Sequence, residues 1–245
     1  MPSILLMNFL DVARSLGTEP FRATPESVAT FIKREFSRRG GAFNYNTSIQ
    51  ALYDLFRGGS LPDAEAFCAT HGAPAGFKPN VEAIRLAGAY AVENPSQCYK
   101  TPFSAVPVGR LSNDRTAYMA IKAPLVRVAP DGAFVVVPGF RMGHRPVETE
   151  IDVAASFALA HFGRDDFSEA DFEYLYAGPG EGGRVLNVHH GCDRQVFDVD
   201  AVDNLLDIYV RGLDLAIGAG VEARTPNFRG YRVVDEAQIG MSFKP

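Results

Sequence analysis

Apolar positions in the first third of the chain recur with the period of a helix. Thr24-Pro25-Glu26 is a start signal, because a threonine hydroxyl can cap and proline is preset for the first helical position; Val28, Phe31, Ile32 and Phe36 then fall on one face. Arg38-Arg39-Gly40-Gly41 ends that helix. A second begins near Asn46-Thr47-Ser48, places Ile49, Leu52, Tyr53 and Phe56 on one stripe, and stops at Gly58-Gly59. Shorter helical patterns cover residues 62–70 and 80–92.

After Asn94-Pro95-Ser96 the period shortens to that of a strand. Residues 103–110, 116–128 and 133–137 read as an antiparallel meander, with turns at Asn113-Asp114 and Pro130-Asp131-Gly132. A helix is expected over 146–162, where Glu148, Glu150 and Asp152 lie at the end that the macrodipole makes favourable for acids. Strands over 171–177 and 184–189 follow, then a helix over 200–219 with Val202, Leu205, Tyr209, Val210 and Leu213 on one side. The order predicts an α/β (α+β) fold: a helical region over 1–95, then a core over 96–245 whose mixed sheet is a meander followed by helix, strand, strand and helix. No linker separates the two, so one compact domain is expected.

Composition narrows the class. A chain of 245 residues, 47% hydrophobic and 22% charged, can bury its core without disulfides or metals. Net charge of -5 disfavours coating nucleic acid by bulk charge and leaves room for a local basic patch. Cys68, Cys98 and Cys192 lie far apart without C-x-x-C, so neither a disulfide framework nor a four-cysteine metal site is built within the chain. The opening residues have no basic n-region, and no apolar run reaches membrane-spanning length. A cytoplasmic protein with no membrane association is the expectation.

Common motifs fail in context. Gly178, Gly180 and Gly183 match the dinucleotide-binding spacing, but they join two strands instead of opening a helix. His189 and His190 point to opposite faces of a strand, so at most one joins Cys192 in a metal site. Lys33, Arg34 and Lys78 fit solvated helix surfaces. The remaining concentration of chemistry is Val135-Val136-Val137-Pro138-Gly139-Phe140-Arg141, a strand that breaks and presents Arg141, His144 and Arg145 beside Glu148, Glu150 and Asp152.

Across 116–219 this order resembles the RecB-type branch of the PD-(D/E)XK nuclease superfamily. In that family a strand aspartate, a Glu-x-Lys strand followed by Thr-Gly, and a helix with Gln-x-x-x-Tyr build a divalent-metal site. Laid on the pattern, Gly139 stands at the glutamate position, Arg141 at the lysine position, and Asp152 with Ser156 on the helix; residues 121–128 offer no aspartate. The resemblance therefore implies a nuclease-like core without the carboxylates that hold the metal.

The leading expectation is a catalytically degenerate protein of this kind, with a nucleic-acid-binding or scaffolding role and no cofactor. Arg141, His144, Arg145, Arg38 and Arg39 are its candidate phosphate contacts. One alternative is a magnesium- or manganese-dependent phosphodiesterase with a migrated site at Glu148, Glu150 and Asp152. Another is an interaction module that forms a homodimer.

Overall fold

A computed structural model describes residues 6–37, 43–163, 167–222 and 227–234. The helical region contains β1 (Leu6–Asn8), α1 (Phe9–Ser15), α2 (Pro25–Ser37), α3 (Asn46–Phe56), α4 (Leu61–Thr70) and α5 (Phe77–Glu93). Then come β2 (Gln97–Lys100), β3 (Phe103–Arg110), β4 (Thr116–Ile121), β5 (Leu125–Ala129) and β6 (Gly132–Gly139). The chain continues through α6 (Glu148–Phe162), β7 (Asp171–Gly180), β8 (Gly183–His190), α7 (Val199–Gly218) and β9 (Tyr231–Val233). Helix starts follow local chemistry. Ser27 N donates to Thr24 Oγ1 at 3.2 Å while Thr24 N donates to Ser27 Oγ at 3.1 Å, and Asp198 caps α7 by accepting from Ala201 N at 2.8 Å.

The expected strand over 116–128 is two strands. Pro124 has no N–H for a ladder, and its carbonyl accepts from Thr101 N at 3.0 Å. The break sends β4 and β5 into different sheets, so the anticipated single mixed sheet is a pair. One is four-stranded, in the order β1-β4-β3-β9, with β1 parallel to β4. The other is five-stranded, in the order β2-β5-β6-β7-β8, with β6 and β7 parallel and its other pairs antiparallel.

Alternation along the strands makes the five-stranded sheet a middle layer. Val126, Val135, Val137, Phe172, Tyr174 and Tyr176 face a cluster formed with α1, α2, α6, α7 and the four-stranded sheet. Leu125, Phe134, Val136, Leu175 and Ala177 face α3, α4 and α5. Burial on both faces explains the unbroken apolar run at 135–137. The soft boundary expected near residue 95 falls between α5 and β2, and the helices before it divide between the two faces: α1 and α2 pack with α6 and α7, whereas α3–α5 form the opposite layer.

Under that opposite layer lies an ion pair. Arg127 Nε is 2.5 Å from Glu173 Oε2, with side chains 3% and 0% exposed, and Tyr90 of α5 donates to Glu173 Oε1 at 2.5 Å. The guanidinium stacks on Phe134, 4.0 Å from the ring centre. Each buried charge is thereby paired and hydrogen-bonded, which its burial requires.

The glycine triplet forms a tight hairpin. β7 and β8 pair up to Gly180 and Gly183, and Glu181-Gly182 makes the turn with Gly182 at φ 78°. His189 and His190 take opposite faces as expected, His189 stacking near Tyr174 and His190 meeting Phe134 edge-on.

Candidate functional site

β6 runs through Val135–Val137 in the middle layer and ends at Gly139, beside its parallel neighbour β7. Beyond the carboxyl end of β6 the sheet opens into a cavity of about 210 Å³. Such ends are where open α/β sheets tend to bind ligands. Its aromatic lining includes Tyr45, Phe103, Phe140, Tyr174 and Tyr176. The ionisable lining comprises Asp11, Arg14, Lys122, Arg141, His144 and Glu150.

Two features keep the cavity open and polar at one end. Tyr174 lies across Gly139, so that any Cβ at this position would overlap the phenol ring. Asn8 also lines the cavity, and its buried Oδ1 has no hydrogen-bond partner among the described residues. A buried acceptor left unpaired costs about 1–3 kcal/mol, which a ligand donor recovers. Burial pushes the Tyr174 and Tyr176 hydroxyls above the usual phenol range, so both remain protonated near neutrality.

The site residues expected from sequence divide into two groups. Arg141, at the end of β6, is 67% exposed and pairs with Asp11 of α1 at 2.9 Å. His144 Nε2 lies 2.5 Å from Glu150 Oε2, and Tyr176 donates to the His144 carbonyl at 2.9 Å. These three, Arg141, His144 and Glu150, line the cavity. Arg145 is exposed next to them and close enough to Tyr176 to oppose the rise in its pKa.

Glu148 and Asp152 point elsewhere. On a helix, residues two apart diverge by about 200° while residues four apart share a face. Accordingly Glu148 and Asp152 both turn to Arg194, the second at 3.5 Å from Arg194 Nε, and away from Glu150. The hydrogen bond from Arg194 holds the Glu148 carboxyl below its ordinary range, whereas burial raises that of Asp152. Glu148, Glu150 and Asp152 therefore do not converge, and the described residues contain no group of three His, Cys, Asp or Glu side chains able to hold a metal ion. Arg38 and Arg39 lie outside the described residues.

Sequence reasoning misses Asn8, Asp11, Lys122 and Tyr174, which enter the site from distant segments. The one local signal is the alternation Phe172, Tyr174, Tyr176, which puts three aromatic rings on one face of β7.

Comparison with protein-family models, with curated proteins and with solved structures finds no match. Among the described residues no helix is long and apolar enough to cross a membrane.

Proposed function

We propose that this chain is a binding protein for nucleotide units, taken as a free nucleotide or as the end of a single strand, in the cavity beyond β6. The observation that carries this reading is the meeting in one cavity of aromatic walls, the unpartnered Asn8 oxygen, and the cations Arg14, Lys122 and Arg141. Bases stack on aromatic rings at about 1–3 kcal/mol each, and an exocyclic amino group satisfies an amide oxygen. Arginine and lysine receive the phosphate. A cavity of about 210 Å³ has no room for a duplex, and the acidic net charge agrees with local recognition of one unit.

The nuclease-like core expected from the resemblance fits this role as a scaffold that binds without metal chemistry. At the position of the family glutamate, Gly139 is covered by Tyr174, and at the position of the lysine, Arg141 is held by Asp11. The divergence of Glu148 and Asp152 from Glu150 counts against the migrated-carboxylate alternative.

The test is fluorescence anisotropy of labelled single- and double-stranded DNA and RNA across a salt series with manganese present, with competition by mononucleotides and a denaturing gel of the recovered probes. The expected result is salt-dependent binding of single strands with intact probe, weakened about tenfold or more by Lys122→Glu. Competition by mononucleotides identifies the unit bound. Absence of binding at low salt overturns the proposal, and cut probe transfers the assignment to the hydrolase reading.

A further inference from the structure

Among the described residues the two sheets have four outer strands, and three are short: β1 and β9 have 3 residues each and β2 has 4. Shortness is one way in which proteins blunt sheet edges. The fourth, β8, has 8 residues and pairs along its whole length with β7 on one side alone. Among the described residues nothing hydrogen-bonds to the backbone of its other side. Residues 184–190 are all half-buried, on both faces of the strand, in contrast to the fully buried run in β7.

Apart from one inward-turned arginine beside the hairpin, β8 carries none of the usual protections. Residues 183–190 include no lysine, proline or carboxylate, and the pairing with β7 has no bulge. Its single permanent charge is turned inward: Arg184 donates to the Phe140 carbonyl at 2.8 Å, to the Ala177 carbonyl, and to Tyr45 Oη at 3.2 Å. An edge this long, with its one permanent charge drawn in beside the hairpin, leaves the rest of the strand open to pairing.

We propose that β8 pairs antiparallel with β8 of a second copy of this chain, joining two five-stranded sheets across a two-fold axis at Asn187. The backbone pattern fits this occupant. A two-residue turn makes Gly180 and Gly183 a hydrogen-bonded pair, and alternation then directs the free N–H and C=O groups of Arg184, Leu186, Val188 and His190 outward. With Asn187 on the axis, Leu186 faces the partner's Val188 and Arg184 faces the partner's His190, and these are the residues with outward groups. Leu186 against Val188 is an apolar cross-strand pair on the face covered by α5, and Asn187 meets its own copy as an amide pair. No carboxylate or lysine is brought against its like.

Sedimentation velocity of the full chain from low to high micromolar concentration provides the test. The expected result is a reversible dimer of the 26.6 kDa chain. Val188→Pro, which removes an outward N–H at an edge where proline is tolerated, weakens it about tenfold or more. Val188→Lys acts in the same direction, and unchanged circular dichroism shows that both variants fold. In a Cys192→Ser background, Asn187→Cys forms an intermolecular disulfide, because a non-hydrogen-bonded pair brings Cα atoms to about 4.5 Å, within disulfide reach; Val185→Cys does not. A strict monomer overturns the proposal. So does a dimer that ignores both Val188 variants and fails to cross-link at 187.

Discussion

Tyr174 occupies the space that a side chain at Gly139 would need. The two residues sit on parallel strands, with Tyr174 beside Val137 in register and its ring leaning toward the carboxyl end of β6. The tyrosine is thus a wall of the cavity, and the glycine is the condition for that wall.

Gly139→Ala is expected to lower stability by about 1–3 kcal/mol, the usual range for overpacking, as read from urea denaturation. Combining it with Tyr174→Ala should cost less than the sum of the single changes, because the clash is relieved. Strict additivity would show that the ring does not press on position 139. Gly139→Glu, with a longer side chain, destabilises at least as much.

Arg127→Ala strands the Glu173 charge beneath α3–α5. The expected loss is about 3–5 kcal/mol, the range for breaking a buried pair from one side. Tyr90→Phe removes a hydrogen bond to a charged group and should cost about 1.5–3 kcal/mol. Chemical denaturation of the two variants gives both values, and a near-neutral Arg127→Ala would contradict the buried pairing.

Asp11→Asn leaves the exposed Arg141 guanidinium without its carboxylate. Phosphate binding by Arg141 then no longer competes with the pair, so nucleotide affinity is expected to rise about threefold to tenfold, with a steeper salt dependence. Titration by anisotropy checks this, and a fall in affinity would assign Asp11 a direct ligand contact.

His189 sets one limb of the pH profile. Burial lowers its folded pKa below the ordinary 6.5, helped by Arg194 and His190 and opposed by Glu148 and Asp152. The unfolded chain then binds the proton more readily, so the contribution is complete above pH 6.5 and is lost as pH falls through the folded value. Glu148, with its carboxyl held low by Arg194, loses its own contribution only at more acidic pH. Urea midpoints measured from pH 8 down to about 5 should decline in the wild type and flatten below 6.5 in His189→Asn. An identical slope in both would place the acid sensitivity elsewhere.

Elements with strong punctuation are legible in the sequence. Thr24-Pro25 opens α2 and Pro130-Asp131-Gly132 turns β5 into β6, because capping and turn chemistry act over a few residues. Pro124 marks the break between β4 and β5 just as locally, but an apolar alternation continues across it and hides the change of sheet. β1 carries too few residues for any periodicity, and its partner β4 is set by tertiary packing. At the site, Arg141, His144 and Glu150 are close in sequence and all line the cavity, although the carboxylate that holds Arg141 is Asp11 of α1 and not one on α6. Glu148, Glu150 and Asp152 also look like a cluster on paper, yet helix geometry divides them. Asn8, Asp11 and Lys122 reach the cavity through long-range folding, which leaves no short-range trace.

The first apolar cluster draws on α1 and α2 near one end of the sequence and on α7 near the other, whereas the cluster under α3–α5 needs nothing beyond β8. During synthesis on the ribosome the inner segments can therefore condense while α2 waits for α7 to emerge. α2 is made long before its neighbour α7, and its apolar face stays exposed to chaperones until that helix is translated.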